Sequence, residues 1–386
     1  MPAAKEILTS LTALPHRGST SENEERAAQI VADWLHQFGL NPTVEPFQSV
    51  QTYSWEIIGI AGLMAIGVSL GPWFPVPGTL FTVLGLWSFW RHFTGYSTLF
   101  SPIIPKRHSQ NVVARIPPAG TPEKTIILMA HYDSARSGLL WAPSMVKNFR
   151  GSFVTNAVLA CILVPWTYLS TEWGTHLWYQ VVSGALALYF LVQAGVFIHR
   201  EIVHKFVNGA NDNGSGVTAI LTLAQQYAQH PLESAEIIIV ATGCEEVGTV
   251  GAQAFLEQHF DDFDRENTYV LNFDNVGAGA LNYCVGEGML SFWHYDAEMV
   301  AIAEQLSQQL SFESVENCEY RLAYFDTLPI VQEQYKCMTF IGLQEDKRIP
   351  HWHWYTDTIE NIDWNTIDLS IAWGDAFINR IEKSGE

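Results

Sequence analysis

Residues 237–246 read Ile237-Ile238-Ile239-Val240-Ala241-Thr242-Gly243-Cys244-Glu245-Glu246. The run from Ile237 to Ala241 is β-branched and unbroken, with no alternation of apolar and polar positions. That is the pattern of a strand covered on both faces, as in a parallel sheet clothed by helices. Gly243 breaks the run, and two carboxylates follow. Adjacent acids at the end of a buried strand are costly unless cations compensate them. Their side chains point in different directions, so one can bind a metal while the other faces a water molecule as general base. Cys244, beside them, reads as a packing residue.

Outward from this strand, helices and strands alternate. Upstream, Asn111 to Ile116 and Thr125 to Ala130 read as strands, and Val217 to Tyr227 reads as a helix. Downstream come a helix from Gln253 to His259, a strand from Tyr269 to Phe273 and a helix from Ala297 to Leu310. A strand from Cys337 to Leu343 and a final helix from Trp364 to Ile381 complete the series. Near the start, residues 2–39 read as helix, broken at Pro15, Gly18 and Ser19 and capped at Gly39, before a strand from Thr43 to Phe47. The alternation predicts an α/β fold with a mixed, mainly parallel central sheet flanked by helices, and with its site at the carboxyl ends of the strands.

Two regions do not fit a water-soluble domain. Four stretches, about Ile57–Phe74, Pro75–Trp90, Phe153–Ser170 and His176–Ile198, contain no Lys, Arg, Asp or Glu. A spanning helix needs about 20 residues. The fourth stretch fits best and the first and third are adequate. The second, broken by Pro75, Pro77 and Gly78, reads as re-entrant or interfacial. Arg91, Lys106, Arg107, Lys147, Arg150, Arg200 and Lys205 flank the pairs, whereas the links Gly71–Gly78 and Thr171–His176 have neither Lys nor Arg. Two transmembrane hairpins are therefore expected, with their tips away from the cytoplasm and the hydrophilic body on the cytoplasmic side of the bilayer. The expected division is a catalytic domain in three parts, 1–53, 96–150 and 201–386, interrupted by hairpins at 54–95 and 151–200. Residues 1–18 lack the pattern of a signal peptide, so insertion is expected to use these internal segments.

Asp and Glu outnumber Lys and Arg by 40 to 20, which argues against a nucleic-acid partner. The five cysteines are scattered with no CxxC spacing, which speaks against a disulfide framework and against a thiolate zinc site.

Four further clusters carry chemistry. In His131-Tyr132-Asp133-Ser134, residues two apart share a face of an extended chain, so Asp133 can reach the second ring nitrogen of His131 and fix its tautomer. In Gly209-Ala210-Asn211-Asp212-Asn213-Gly214-Ser215-Gly216, the glycines allow a tight path and Ser215 is a candidate N-cap. Asp212 lies on that turn, and one carboxylate can bridge two metals about 3.5–4 Å apart. Asp274 directly follows the strand Tyr269–Phe273. In His351-Trp352-His353-Trp354-Tyr355-Thr356-Asp357, both histidines share a face if extended, and one suffices as a ligand. Imidazoles and carboxylates without thiolates suit zinc, or manganese or cobalt.

With these pieces in order, the chain resembles the co-catalytic zinc aminopeptidases of peptidase family M28. The matching pieces are HYDS at His131–Ser134, GANDNGSG at Gly209–Gly216, Glu245-Glu246, Asp274, and His353 four residues before Asp357. The resemblance implies two zinc ions bridged by Asp212. His131 and Asp274 would complete one site, and Glu246 and His353 the other. It also implies Glu245 as general base, taking a proton from water and returning it to the leaving amine, and Asp133 as the group that orients His131. His353 is preferred to His351 for its distance from Asp357. The implied substrates are peptides with a free N-terminus. Tyr324-Phe325-Asp326 resembles the family's segment facing the substrate cleft.

The hairpins depart from the soluble members of the family. The second enters between His131 and Asp212, which roots it near the site in sequence and leads to the expectation of hydrophobic or membrane-released peptides. Glutaminyl cyclases share the fold with one zinc and form pyroglutamate with loss of ammonia. Other relatives are non-enzymatic membrane scaffolds.

Overall fold

The computed structural model describes residues 2–384. The chain forms two compact units. One comprises the residues up to Gln51, Lys106–Arg136 and the chain from Phe206 onward; the other comprises Thr52–Pro105 and Ser137–Lys205.

The first unit is built on a nine-stranded mixed sheet. Its strands are β1 (Thr43–Ser49), β2 (Arg107–Ile116), β3 (Lys124–His131), β4 (Ala235–Thr242), β5 (Thr268–Asp274), β6 (Ala280–Glu287), β7 (Trp293–His294), β8 (Glu316–Tyr320) and β9 (Lys336–Leu343). The order is β1-β2-β4-β3-β5-β9-β6-β7, with β8 beside β6. β4, β3, β5 and β9 run parallel, and β1, β2 and β6 join antiparallel. Ile237 to Thr242 are buried without a break, as the β-branched run requires of a strand covered on both sides. Helices Gly216–Gln229 and Trp364–Glu382 pack on each other, the former against β3, β4 and β5, and Val250–His259 packs with Thr327–Gln332. Pro46 lies in β1, an edge strand, the position in a sheet where proline is tolerated.

β6, β7 and β8 are strands beyond those expected from the sequence. Glu316–Tyr320 is polar and buries only Cys318 and Tyr320, so its apolar signal is too short to register. The expected N-cap also differs. The Ser215 hydroxyl bonds back to the Asn211 carbonyl at 2.7 Å, and the Asn213 side chain instead accepts the Gly216 N–H at 2.9 Å.

In the sheet register His131 stands opposite Thr242, and Met129 opposite Asn272. The ends of β3, β4 and β5 therefore form one edge, from which His131, the Glu245-Glu246 turn and Asp274 all project. This is the carboxyl edge of the parallel strands, where an α/β sheet binds its ligands.

The second unit consists of helices Ser54–Leu70, Pro75–His92, Phe149–Tyr168 and Leu177–Val203, with a short turn of helix at Ser170–Trp173. Its polar groups turn inward. Thr82 and Thr167 share a hydrogen bond of 2.9 Å, and Trp166 Nε1 donates to Ser183 Oγ at 2.9 Å. Gly67 lies so close to its neighbour that a Cβ there would stand 2.8 Å from the Gly78 carbonyl. Large apolar side chains turn outward: Val76, Ile202, Leu177, Trp73, Val181 and Leu188 are all more than half exposed. Apolar exteriors of this extent mark interaction surfaces. Val146–Tyr168 and Leu177–Val203 are long and apolar enough to cross a membrane. Ser54–Leu70, with 17 residues, is shorter, and at 1.5 Å per residue it spans only about 26 Å of a ~30 Å hydrocarbon core.

Candidate metal centre

Five segments converge on the carboxyl edge of the first unit: the ends of β3 and β5, the turn after β4, the loop Gly209–Gly216 and the segment carrying His353 and Asp357. At the end of β3, His131 turns Nδ1 toward Asp133 Oδ1 at 3.4 Å and Nε2 into the cluster. Asp133 also accepts the Glu245 N–H at 3.0 Å and the Glu246 N–H at 3.3 Å, so it joins the β3 loop to the turn after β4. That turn begins at Cys244, whose backbone is left-handed at φ 57° and whose thiol lies 3.2 Å from Glu24 Oε1. Burial, then Glu24 and Asp133, push the Cys244 thiol well above its ordinary range, consistent with a packed thiol.

Asp212 is centred by the loop Gly209–Gly216. Gly209 has φ 73°, and a Cβ there would lie 2.4 Å from the Asp212 carbonyl, so only glycine fits. The Asp212–Asn213 peptide is cis. Asp357 holds the loop from the other side, its carboxylate accepting the Asn211 N–H at 2.6 Å and the Asp212 N–H at 3.0 Å.

The two oxygens of Asp212 face different imidazoles. Oδ1 lies 3.4 Å from His131 Nε2, and Oδ2 lies 3.3 Å from His353 Nε2. Glu246 Oε2 is 3.1 Å from the same His353 nitrogen, while Glu245 Oε2 and Asp274 Oδ2 each stand 3.8 Å from His131 Nε2. Donor atoms of His131, Asp212 and Glu246 all fall within 4.8 Å of one another. All seven residues singled out from the sequence thus come together. His351 does not join them; its Nδ1 pairs with Thr356 Oγ1 at 2.8 Å.

The electrostatics favour a cation. Burial raises the pKa of Asp212, but His131 and His353 outweigh it and hold the group below its ordinary value. Burial lowers that of His353, yet Glu246 and Asp212 carry it up to about 9. Burial also lowers that of His131, but Glu245, Asp133, Asp212 and Asp274 raise it well above normal. The carboxylates thus stabilise positive charge where the two Nε2 atoms point. Glu246 Oε1 is buried without a hydrogen-bond partner. An unsatisfied buried carboxylate oxygen, a carboxylate excess and inward-facing imidazoles are a donor set that fits a divalent metal ion.

Several further residues surround the cluster. Asp326 is buried; its Oδ2 accepts the Thr242 hydroxyl at 2.5 Å, and burial pushes its pKa up to about 7. The motif Tyr324-Phe325-Asp326 pointed to it without a role. The Tyr320 hydroxyl is buried without a hydrogen-bond partner, in the field of Asp274 and Asp212. Ser19 reads only as a helix break, and Arg17 and Glu24 carry no signal of their own, yet all three touch the loops of the cluster.

The imidazole–carboxylate cluster thus sits at the carboxyl edge of a mixed α/β sheet, where such a sheet binds its ligands. Residues 195–374 match the family model of peptidase family M28. That match spans 180 of the chain's 386 residues. His131 lies ahead of the matched span, and the other ligand candidates lie within it. Among curated proteins, the chain is 24% identical over 188 residues to the probable lipoprotein aminopeptidase LpqL of Mycobacterium tuberculosis, covering 42% of this chain and 38% of that protein. It is 41% identical over 71 residues to the vacuolar membrane protease of Schizosaccharomyces japonicus, covering 18% of this chain and 8% of that one. The chain therefore spans well under half the length of either relative. Among solved structures, the zinc aminopeptidase BSAP of Bacillus subtilis aligns with TM-score 0.58 and 13% identity over 98% of this chain and 94% of that one. The glutaminyl cyclase of Tannerella forsythia aligns with TM-score 0.58 and 17% identity over 99% and 98%. These likenesses speak for the fold.

Proposed function

We propose that this chain is a membrane-anchored, zinc-dependent aminopeptidase. The observation that carries the reading is Asp212, whose two oxygens each face a different buried imidazole, 3.4 and 3.3 Å away. Asp212 would bridge two zinc ions, with His131 and Asp274 completing one site and Glu246 and His353 the other. Zinc bound to such donors supplies Lewis acidity and brings the pKa of water toward neutrality. The chain's own residues do the rest. Glu245, held at the head of its turn by Asp133, takes the proton of the attacking water and returns it to the leaving amine. Asp133 fixes the tautomer of His131 through Nδ1. The buried carboxylates give the cleft a field that suits a free α-amine.

The membrane reading rests on the outward apolar faces of the second unit and its two long helices. The flanking basic residues favour a cytoplasmic position for the catalytic unit.

The test is mass spectrometry of mixed peptides incubated with the detergent-solubilised, zinc-loaded chain, with Glu245→Gln as control. Stepwise loss of N-terminal residues, absent in the variant, is the expected result. Ammonia loss confined to N-terminal glutamine would instead mark the cyclase that the likeness to the Tannerella enzyme allows. Unchanged peptides would point to a scaffold.

A further inference from the structure

The segment Arg17–Glu24 touches every loop that carries a candidate ligand at the ends of β3 and β4 and at Gly209–Gly216. The Arg17 side chain is fully buried. Its Nε donates to the Tyr132 carbonyl at 2.6 Å, Nη1 to the Asn208 carbonyl at 2.7 Å and Nη2 to the Gly209 carbonyl at 2.6 Å. Its own N–H donates to Ser134 Oγ at 2.9 Å, and its carbonyl accepts the Ser134 N–H at 3.2 Å. Ser19 Oγ donates to Asp133 Oδ2 at 2.7 Å. Glu24 accepts the Thr20 N–H at 2.7 Å, the Ser109 hydroxyl at 3.1 Å and the Cys244 N–H at 3.1 Å.

The position of these contacts in the chain gives them their meaning. His131 and Asp212 flank the excursion Ser137–Lys205, which belongs to the other unit. The chain leaves through Tyr132–Arg136 and returns through Phe206–Gly209. Direct bonds close this neck: Ser134 Oγ donates to the Val207 carbonyl at 3.0 Å, and the Val207 N–H to the Ala135 carbonyl at 2.8 Å. Arg17 spans the same neck, with one arm on the departing strand and two on the returning one. A Cβ on Gly209 would fall 3.0 Å from Arg17 Nη2, so the glycine also makes room for the guanidinium. Burying a cation costs several kcal/mol, and an apolar side chain would fill core space without that cost. What the guanidinium adds is a rigid fork that fixes three carbonyls at once.

We propose that Arg17, with Ser19, is a positioning element of the metal centre: it clamps the neck of the inserted segment and so sets the separation of His131 from Asp212 and the aim of Asp133. The inference rests on the metal reading of the cluster. Outer groups that orient ligands typically contribute 10–100-fold in metal affinity.

The full-length chain in detergent, loaded with Co²⁺ as a spectroscopic probe, tests it through three variants. Arg17→Lys keeps the charge but loses the fork, Arg17→Gln loses both, and Ser19→Ala removes one hydroxyl and retains the packing. The expected result for Arg17→Lys is an altered Co²⁺ visible spectrum, metal affinity in chelator competition lowered about 10–100-fold, and kcat reduced more than KM is raised. Ser19→Ala is expected to lower affinity by a smaller factor in the same direction. If Arg17→Gln does not fold, the other two variants decide. Lowered melting temperature with the parent's spectrum and affinity in both would make these residues merely structural and overturn the proposal. Failure of the parent chain itself to take up Co²⁺ would overturn the metal reading, and the proposal with it.

Discussion

Asp357 accepts the backbone N–H of Asp212 at 3.0 Å and, with its other oxygen, that of Asn211 at 2.6 Å. One carboxylate thus fixes the backbone that aims another. Burial and the nearby Asp212 push the Asp357 pKa up to about 7, so its ionised form is held at a cost. Asp357→Ala leaves two buried N–H groups without their acceptor, each costing about 1–3 kcal/mol. The expected outcome is a folded but destabilised chain whose metal affinity falls about 10–100-fold, read by chelator competition beside chemical denaturation. Parent-like affinity would show that Asp212 is aimed without Asp357.

The two histidines four and six residues ahead of Asp357 separate cleanly. His353 Nε2 faces both Asp212 and Glu246, whereas His351 pairs with Thr356. His353→Ala is expected to lose bound zinc and activity, and His351→Ala to keep both, by metal analysis of the purified variants. The reverse pattern would exchange their roles.

Glu245 and Glu246 are neighbours in sequence with distinct expected roles. Glu245→Gln should retain its zinc and lose about 10²–10⁴-fold in kcat, as removal of a general base does. Glu246→Gln should lose metal first, and activity as a consequence. Equal loss of metal in both would make Glu245 a ligand.

The chemistry was more legible in the sequence than its bracing. Ligand candidates announce themselves because acids and histidines at strand ends are costly without a partner, and Ile237–Ala241 fixed where those ends lie. The bracing residues carry no such signal. Arg17 sits between two helical stretches in a segment that reads as a simple break, and its three carbonyl acceptors lie more than a hundred residues downstream. Ser215 read as a helix cap because serine favours that position, but the Asn213 side chain reaches the Gly216 N–H and displaces it. β8 was hidden for a different reason: Glu316–Tyr320 gains its place from pairing with β6, and pairing leaves little trace in a polar five-residue run.

Glu287 gives a pH dependence away from the metal cluster. It is fully buried on β6, where Oε2 accepts the Phe325 N–H at 2.6 Å and Oε1 the hydroxyls of Thr327 and Tyr295 at 2.7 and 2.9 Å. Burial raises its pKa from 4.5 to about 7. Between those values the unfolded chain has released the proton and the folded chain keeps it. The folded state therefore binds more protons, and this group's contribution to stability falls as pH rises through the window. Glu287→Gln removes the titration. Relative to the parent, the variant should gain up to about 3 kcal/mol between pH 4.5 and 7 in denaturant unfolding. Parallel stability curves would place the folded pKa near its ordinary value.

The orientation of the second hairpin can be read by labelling. Thr175 lies exposed in the link between the two long helices, and Leu310 is 88% exposed on the catalytic unit. Cys161 is exposed and the other four cysteines are buried, so a Cys161→Ser background leaves little thiol reactivity. With Arg150, Arg200 and Lys205 at the helix bases and no Lys or Arg in the link, a cysteine at 175 should face away from the cytoplasm. In intact cells an impermeant maleimide is expected to label Thr175→Cys, and to label Leu310→Cys only after permeabilisation. Labelling of Leu310→Cys alone in intact cells would invert the topology, and labelling of neither before permeabilisation would mean that the hairpin does not cross.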